Sequence, residues 1–364
     1  MPSAAELFDV DALGRWAGTA ADGGPLLPGG GPLVVQTLGE GHSNLTFRVS
    51  RGDVAYVLRR PPAGPLLPTA HDVVREYRVL QLLRATGQPV RVPGVVAVCE
   101  DPTVIGVPFY LMDEVDGVIV RHELPAAVAT DPAALRALGL DLADALAEIH
   151  QVSWEPFVEA GIGRPGGYLA RQLKRWTGQR EGIRQAAAAA GGRARDLPDY
   201  DAVRDWLAAH LPAEDAPAVV HGDYKLDNTV VDLAAATGAA GGGSRPIAAV
   251  VDWEMATVGD PRADLGYLLS FWPQPGEDFP LGGLFAAPPG LPTRADLVDR
   301  WSAGTGRDPG DTRWFVTLAV WKLAILLEAS YHRWLAGMAD DPFFATMDAG
   351  VPALLARARA TCGA

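Results

Sequence analysis

The chain has 364 residues, 21% of them charged and 48% hydrophobic, with 44 Asp and Glu against 31 Lys and Arg and a formal net charge of −13. That length leaves room for two packed lobes with a sizeable core, and the acidic balance excludes the basic footprint that nucleic acid or an anionic membrane requires of a main partner. Its two cysteines, Cys99 and Cys362, lie far apart with no metal-ligand spacing, so neither a disulfide framework nor a zinc site is expected.

The opening residues MPSAAELFDV have no basic start and no long apolar run, so a secretory leader is not expected. No stretch reaches ~18 consecutive apolar residues, so no membrane span is expected and the cytoplasm is the expected location. Leu7–Ala17 is predicted to be a helix, with Leu7, Val10, Leu13 and Trp16 at helical spacing and Asp9 or Asp11 near its start. After a Gly/Pro-rich connector come strands at Val34–Leu38, Leu45–Ser50 and Val54–Arg59, the last ending at Pro61 and Pro62. Val73–Ala85 is predicted helical, followed by strands at Val92–Cys99 and Pro108–Val115. Past Gly117 the pattern turns helical, over Pro132–His150, Tyr168–Ala190, Tyr200–His210 and most of the chain from Ala263, including Trp314–Leu335. Short strands interrupt it at Val219–His221, Thr229–Asp232 and Ile247–Asp252, and the low-complexity Ala234–Ser244 is expected to be a floppy hairpin tip.

The most informative stretch is VVHGDYKLDN, Val219–Asn228, followed by VVDWE, Val250–Glu254. An Asp, an Asn five residues on, and an Asp ending an apolar strand form the pattern of a phosphoryl-transfer site. Asp223 is placed to accept the proton of an attacking hydroxyl, with reach rather than acidity deciding. Asn228 and Asp252 offer Mg²⁺ the hard oxygens it takes beside nucleotide phosphates. Lys225 either neutralises charge on the transferred group or is a solvated loop lysine. His221 is expected to brace the loop, Asp227 to sit in a turn, and Asp264 to cap a helix or brace the loop. Glu254 is a candidate supporting or substrate-binding group.

Earlier in the chain, Gly39-Glu40-Gly41-His42-Ser43-Asn44 lets a hairpin backbone approach a polyphosphate with main-chain donors. A tight hairpin without chemistry would use the same glycines, and His42 and Ser43 either touch phosphate or face solvent. Arg59 ends the third strand and Glu76 follows 17 residues later on the helix. A strand cation paired to nucleotide phosphates and oriented by a helix carboxylate has this spacing; an edge-strand Arg and a surface Glu have it too. Arg60 is expected on the opposite strand face. FYLMDEVDG, Phe109–Gly117, is either a connector whose main chain at Asp113 and Val115 bonds an adenine, or a core strand and its turn. On the last long apolar helix, Trp314, Trp321, Tyr331 and Trp334 are expected in the core, with Lys322, Glu328 and His332 among them unassigned.

In this order the motifs resemble those of the aminoglycoside phosphotransferase and choline kinase superfamily, from about Val34 to about Leu335. GHSNLTFRV, YVLRRPP, EYRVLQLL, HGDYKLDN and VVDWEMATVGDPRADLGYL are most similar to the phosphotransferase branch that includes the domain fused to some acyl-CoA dehydrogenases. The resemblance implies an α+β, bilobal protein-kinase-like fold. A small β-rich nucleotide-binding lobe would span residues 1–115 and a larger, mostly helical catalytic and substrate-binding lobe residues 116–364. It implies ATP, in some members GTP, between the lobes, with one or two Mg²⁺ ions. It also implies Asp223 as base, Asn228 and Asp252 as metal ligands, Arg59 with Glu76 on the phosphates, and nucleotide contacts at Asp113 and Val115. Arg59 departs from the Lys of aminoglycoside-modifying members, whereas choline-kinase-like members can carry Arg there. That departure weakens the reading as a dedicated antibiotic-resistance enzyme, and the branch resemblance points instead towards metabolite hydroxyls, hydroxyacyl-CoA thioesters among them.

The expectation is therefore a Mg²⁺- and ATP-dependent O-phosphotransferase acting on a small-molecule hydroxyl, with no obligate protein partner, nucleic acid or membrane. The alternatives are an aminoglycoside or macrolide antibiotic phosphotransferase and a catalytically idle nucleotide-binding regulator. A metal-dependent hydrolase using Asp223 and Asp252 would leave the Gly39–Asn44 loop and the Arg59/Glu76 pair without a role.

Overall fold

The computed structural model describes residues 7–19, 25–28, 30–38, 44–62, 72–189, 194–241, 243–277, 279–281, 286–339 and 341–363. Two compact units emerge: the chain up to Gly117 together with Ala248–Ala256, and Val118–Ile247 together with Thr257 onwards. The single boundary expected near Asp116 thus gains a second excursion, because Ala248–Ala256, carrying Asp252, packs with the first unit. Hydrogen bonds to main-chain groups tie it there. Val250 N–H donates to the Arg91 carbonyl at 2.7 Å, Trp253 N–H to Glu76 Oε1 at 3.1 Å, and Arg75 to the carbonyls of Glu254, at 3.2 Å, and Ala256.

In the first unit, β1 (Val34–Leu38), β2 (Leu45–Arg51), β3 (Val54–Arg60), β4 (Val95–Cys99) and β5 (Phe109–Asp113) form an antiparallel sheet in the order β1-β2-β3-β5-β4. Side chains alternate between its faces. Phe47, Leu58 and Leu111 lie in register on one face and are buried with Phe8 and Leu13 beside α1 (Val10–Gly18). Phe8 meets the Phe47 ring edge-on at 5.4 Å, and Asp9 caps α1 through the N–H groups of Asp11 and Ala12. Thr46, Arg59 and Tyr110 form the register one residue along, on the other face, towards α2 (Val73–Ala85). The period of two therefore sends Arg59 to Glu76 and Arg60 to the Leu7 carbonyl and the Phe8 ring.

The second unit holds α3 (Pro132–His150), α4 (Tyr168–Ala189), α5 (Pro198–Ala209), α6 (Arg262–Phe271), α7 (Arg294–Thr305), α8 (Thr312–Leu335) and α9 (Met347–Cys362). Two short strands, β6 (Ala218–Val220) and β7 (Thr257–Gly259), pair antiparallel and flank the segment carrying Asp223. The expected hairpin tip at Ala234–Ser244 instead begins with a helical turn at Leu233–Ala236, because Asp232 caps it through the N–H groups of Ala234 and Ala235. By length and composition α8 could cross a membrane, but 67% of its most apolar window is buried, against α6 and α9 among others.

One ion network locks these helices together. Glu328 on α8 has no exposed side-chain surface and receives Arg180 at 3.1 Å, Arg195 at 2.9 and 2.6 Å, and His332 at 3.2 Å. Removing the negative charge would leave the buried Arg180 guanidinium with only the Arg195 carbonyl, and Arg195 with Asp348 and main-chain carbonyls, in place of their shared buried anion. We expect Glu328→Gln to cost about 3–5 kcal/mol, read as a lowered midpoint in chemical denaturation; an unchanged midpoint would show that the network contributes nothing to stability.

Candidate active site

Strand β6 is fully apolar and ends at His221, where Gly222 turns the chain at φ 86°. Asp264, in the first turn of α6, fixes that turn from below. Its Oδ2 accepts His221 N–H at 2.6 Å and its Oδ1 accepts Gly222 N–H at 2.8 Å. His150 Nε2 lies 3.3 Å from Oδ2, and His150 Nδ1 accepts the Trp301 indole N–H at 2.8 Å. The Trp301 bond fixes the tautomer: Nδ1 is the acceptor, so Nε2 carries the proton and donates to Asp264. Burial works to raise the Asp264 pKa, but these donors and the neighbouring histidines outweigh it and hold the carboxyl below its ordinary range. Burial pushes the His150 pKa down, with Asp264 opposing only in part.

On this base sits the half-buried Asp223. Its N–H donates to His221 Nδ1 at 3.2 Å, so His221 braces the loop as expected. Asn228 Nδ2 donates to the Asp223 carbonyl at 2.8 Å and to its Oδ2 at 2.7 Å, which leaves the amide oxygen of Asn228 as its free acceptor. The phenol of Tyr267, on α6, lies beside the same carboxylate, and burial with that carboxylate raises the phenol pKa strongly. Lys225 is ion-paired with Asp227 at 2.7 Å and lies over the Phe271 ring at 5.2 Å.

In the first unit Arg59 is buried between two carboxylates. Its Nη2 donates to Asp252 Oδ1 at 3.2 Å, and its Nε lies 3.3 Å from Glu76 Oε2, an ion-pair distance without hydrogen-bond geometry. Burial opposes the Arg59 charge, but Glu76 and Asp252 outweigh it and hold the guanidinium protonated. Burial pushes the Glu76 carboxyl up to about 7, against the pull of Arg59. Asn44 Nδ2 lies 3.4 Å from Glu76 Oε2 and 3.2 Å from Glu254 Oε2, so Glu254 belongs to this cluster too. Asp252 adopts φ 67° and ψ 63°, the one left-handed conformation outside glycine among the described residues. Such strain persists only where the surroundings hold it; here Arg59 grips the side chain and Glu76 the next N–H.

The Asp113 N–H donates to the Gly94 carbonyl at 2.8 Å and is not available to a ligand, whereas the Val115 N–H has no partner among the described residues. Gly39, Gly41, His42 and Ser43 lie outside the described residues. The carboxylate of Asp252 in the first unit and the amide oxygen of Asn228 in the second are each hard donors of the kind Mg²⁺ takes. Among the described residues no group of three or more His, Cys, Asp or Glu is assembled as a metal cage.

A sequence profile of the phosphotransferase enzyme family (APH) matches residues 34–297. The chain belongs to that family. It is accordingly a small-molecule kinase, and its α+β fold is that of the aminoglycoside phosphotransferases. A protein from Ralstonia eutropha JMP134, described as a candidate aminoglycoside phosphotransferase, superposes with a TM-score of 0.75 at 29% identity over 98% of both chains. Aminoglycoside phosphotransferase APH(4)-Ia, solved with AMP-PNP and hygromycin B, shares the fold at a TM-score of 0.56 and 15% identity, covering 91% of this chain and 94% of its own. Acyl-CoA dehydrogenase family member 11 of Gallus gallus is 35% identical over 341 residues, 92% of this chain but 41% of that protein. The chain thus spans less than half the length of the curated relatives it matches.

Sequence reasoning missed His150, Trp301, Tyr267 and the role of Lys322. The available signal was a polar residue inside an otherwise apolar helix, which marks a buried group needing a partner. His150 gives the site a pH signature. Its folded pKa lies below the ordinary 6.5, so the unfolded chain takes up the proton first and stability falls as pH drops from 6.5 towards the folded value. We expect chemical denaturation at pH 5 to show lower stability than at pH 7.5, with part of that difference absent in His150→Asn; an equal difference in the variant would remove His150 from the account.

Proposed function

We propose that this enzyme transfers the γ-phosphoryl group of ATP to a hydroxyl of a small metabolite, with Mg²⁺. The observation that carries the reading is the Asp223 carboxylate, held by Asn228 on a loop anchored to Asp264. A carboxylate fixed in this way has lone pairs to spare for a substrate hydroxyl and can orient it and take its proton as the new bond forms. Arg59, oriented by Glu76, would bind nucleotide phosphate, and the main chain at Asp113 and Val115 the adenine. The loop Gly39, Gly41, His42, Ser43 and Asn44 would offer main-chain donors to the phosphates. Asp252 and the Asn228 amide oxygen would hold Mg²⁺, which when bound neutralises phosphate charge. Lys225, now paired with Asp227, would add a cation beside the transferred group.

The second unit also supports a class of acceptor. A depression beside the Asp223 loop is walled by Val120, Leu268, Phe271 and Trp272 and edged by Lys225 and Arg121. Arg121 is half-buried and makes no hydrogen bond or ion pair among the described residues. Apolar walls with an unpaired cation suit an alcohol on an acyl chain bearing an anionic group, such as a hydroxyacyl-CoA, better than a polycationic aminoglycoside.

The test is a mass-spectrometric screen for phosphorylated product with MgATP, and MgGTP in parallel, across hydroxyacyl-CoAs, amino alcohols, aminoglycosides and macrolides. We expect product from a hydroxyacyl-CoA and a loss of about 10²–10⁴-fold in Asp223→Asn, the usual weight of a general base. Product from antibiotics alone would overturn the acceptor class. Nucleotide binding without turnover, indifferent to Asp223→Asn, would favour a regulator, and no nucleotide binding would sink the reading.

A further inference from the structure

Lys322 lies at the middle of α8, a long and largely apolar helix, and is buried. Its ammonium donates to the Gly222 carbonyl at 2.5 Å and faces the rings of Tyr267 at 4.9 Å and Trp176 at 5.5 Å. Among the described residues it has no ion pair. A methionine would fill the same channel without desolvating a polar group, so packing alone gives no reason for a lysine here.

The acceptor it has chosen is informative. The Gly222–Asp223 peptide is the one that carries Asp223. Its N–H is held by His221 Nδ1 at 3.2 Å, and its carbonyl is held by Lys322. The preceding two N–H groups are held by Asp264. Without Lys322 that peptide plane would be gripped at one end only, at a glycine with φ 86° where the backbone resists rotation least. Tyr267 lies beside both partners, since its ring takes the ammonium and the Asp223 carboxylate raises its phenol pKa. Burial pulls the Lys322 pKa down while Asp223 and Asp264 pull it up; the nitrogen donates to the carbonyl in either protonation state.

We propose that Lys322 is the positioning residue for Asp223: from α8 it clamps the Gly222 carbonyl and thereby fixes the peptide plane that aims the carboxylate. The inference rests on the reading of Asp223 as the base that orients the attacking group.

The experiment compares wild type, Lys322→Met, Lys322→Gln and Asp223→Asn by amide hydrogen exchange and by hydrolysis of MgATP without added acceptor. In folded Lys322→Met, exchange at Asp223 and Tyr224 should quicken while α3 and α9 stay as in the wild type. The kcat should fall about 10²-fold, the weight of a misplacement near 1 Å, with the KM for ATP unchanged, the pattern of a lost transition-state interaction. Lys322→Gln keeps a donor and should fall between; should the Met variant fail to fold, it carries the comparison. Unchanged loop exchange, or unchanged kcat with a quickened loop, overturns the proposal. Full turnover in Asp223→Asn would sink the reading of the base instead, and a wild type that does not hydrolyse ATP leaves loop exchange to decide.

Discussion

Asp264 is a buried carboxylate, and its two oxygens take the N–H groups of His221 and Gly222 and the proton of His150. Three donors converging on one anion offset a desolvation cost that an unpartnered carboxylate could not bear. The consequence runs outward in both directions. Towards the core, His150 is held by Trp301 of α7, so the loop is tied through Asp264 to two helices. Towards the candidate chemistry, the backbone of residues 221 and 222 has little freedom left, and Asp223 inherits its place from them. If Asp264 were moved, the Asn228, Tyr267 and Lys322 contacts would have no fixed loop to act on.

The first unit poses the opposite electrostatic problem. Glu76 and Asp252 flank the buried Arg59 guanidinium, Glu254 is tied to Glu76 through Asn44, and Arg75 directs its nitrogens to the carbonyls of Glu254 and Ala256. The Glu76 pKa is raised: burial is its largest cause, and Asp252 and Glu254 add to it while Arg59 resists. The proposed Mg²⁺ rests on the hard-donor chemistry of Asp252 and of Asn228.

Much of this was legible in the sequence, where a period or a loop motif carried the information. Alternation placed Arg60 on the sheet face opposite Arg59, and the HGD spacing brought Asn228 to Asp223. Asp264 was readable as a cap or brace, and the brace is what the contacts show. The attachment of Ala248–Ala256 to the first unit was not legible, because it depends on Arg75, Arg91 and Glu76 reaching main-chain groups far along the chain. Main-chain partners leave no side-chain pattern to read. Lys322 and His150 were hidden for a related reason: periodicity reports that a helix is buried, not which polar residue on it meets a loop. The turn at Leu233–Ala236 was obscured by composition, since the low-complexity stretch drew attention from the single capping Asp232.

The substitution that sets this chain apart from the aminoglycoside-modifying pattern has a geometric explanation. Arg59 turns Nε to Glu76 and Nη2 to Asp252, two carboxylates reached by different nitrogens of one rigid plane. A lysine would offer one nitrogen to both and would have to divide its donors within a single small sphere. The arginine therefore spans a wider separation between helix and loop carboxylates while holding Asp252 in its left-handed conformation. Charge is retained, so nucleotide phosphate could still be met by the remaining nitrogen. What changes is the dependence between parts: in this chain the residue that would bind phosphate is also the one that fixes the strained aspartate, so phosphate binding and the pose of Asp252 are bound to respond to each other.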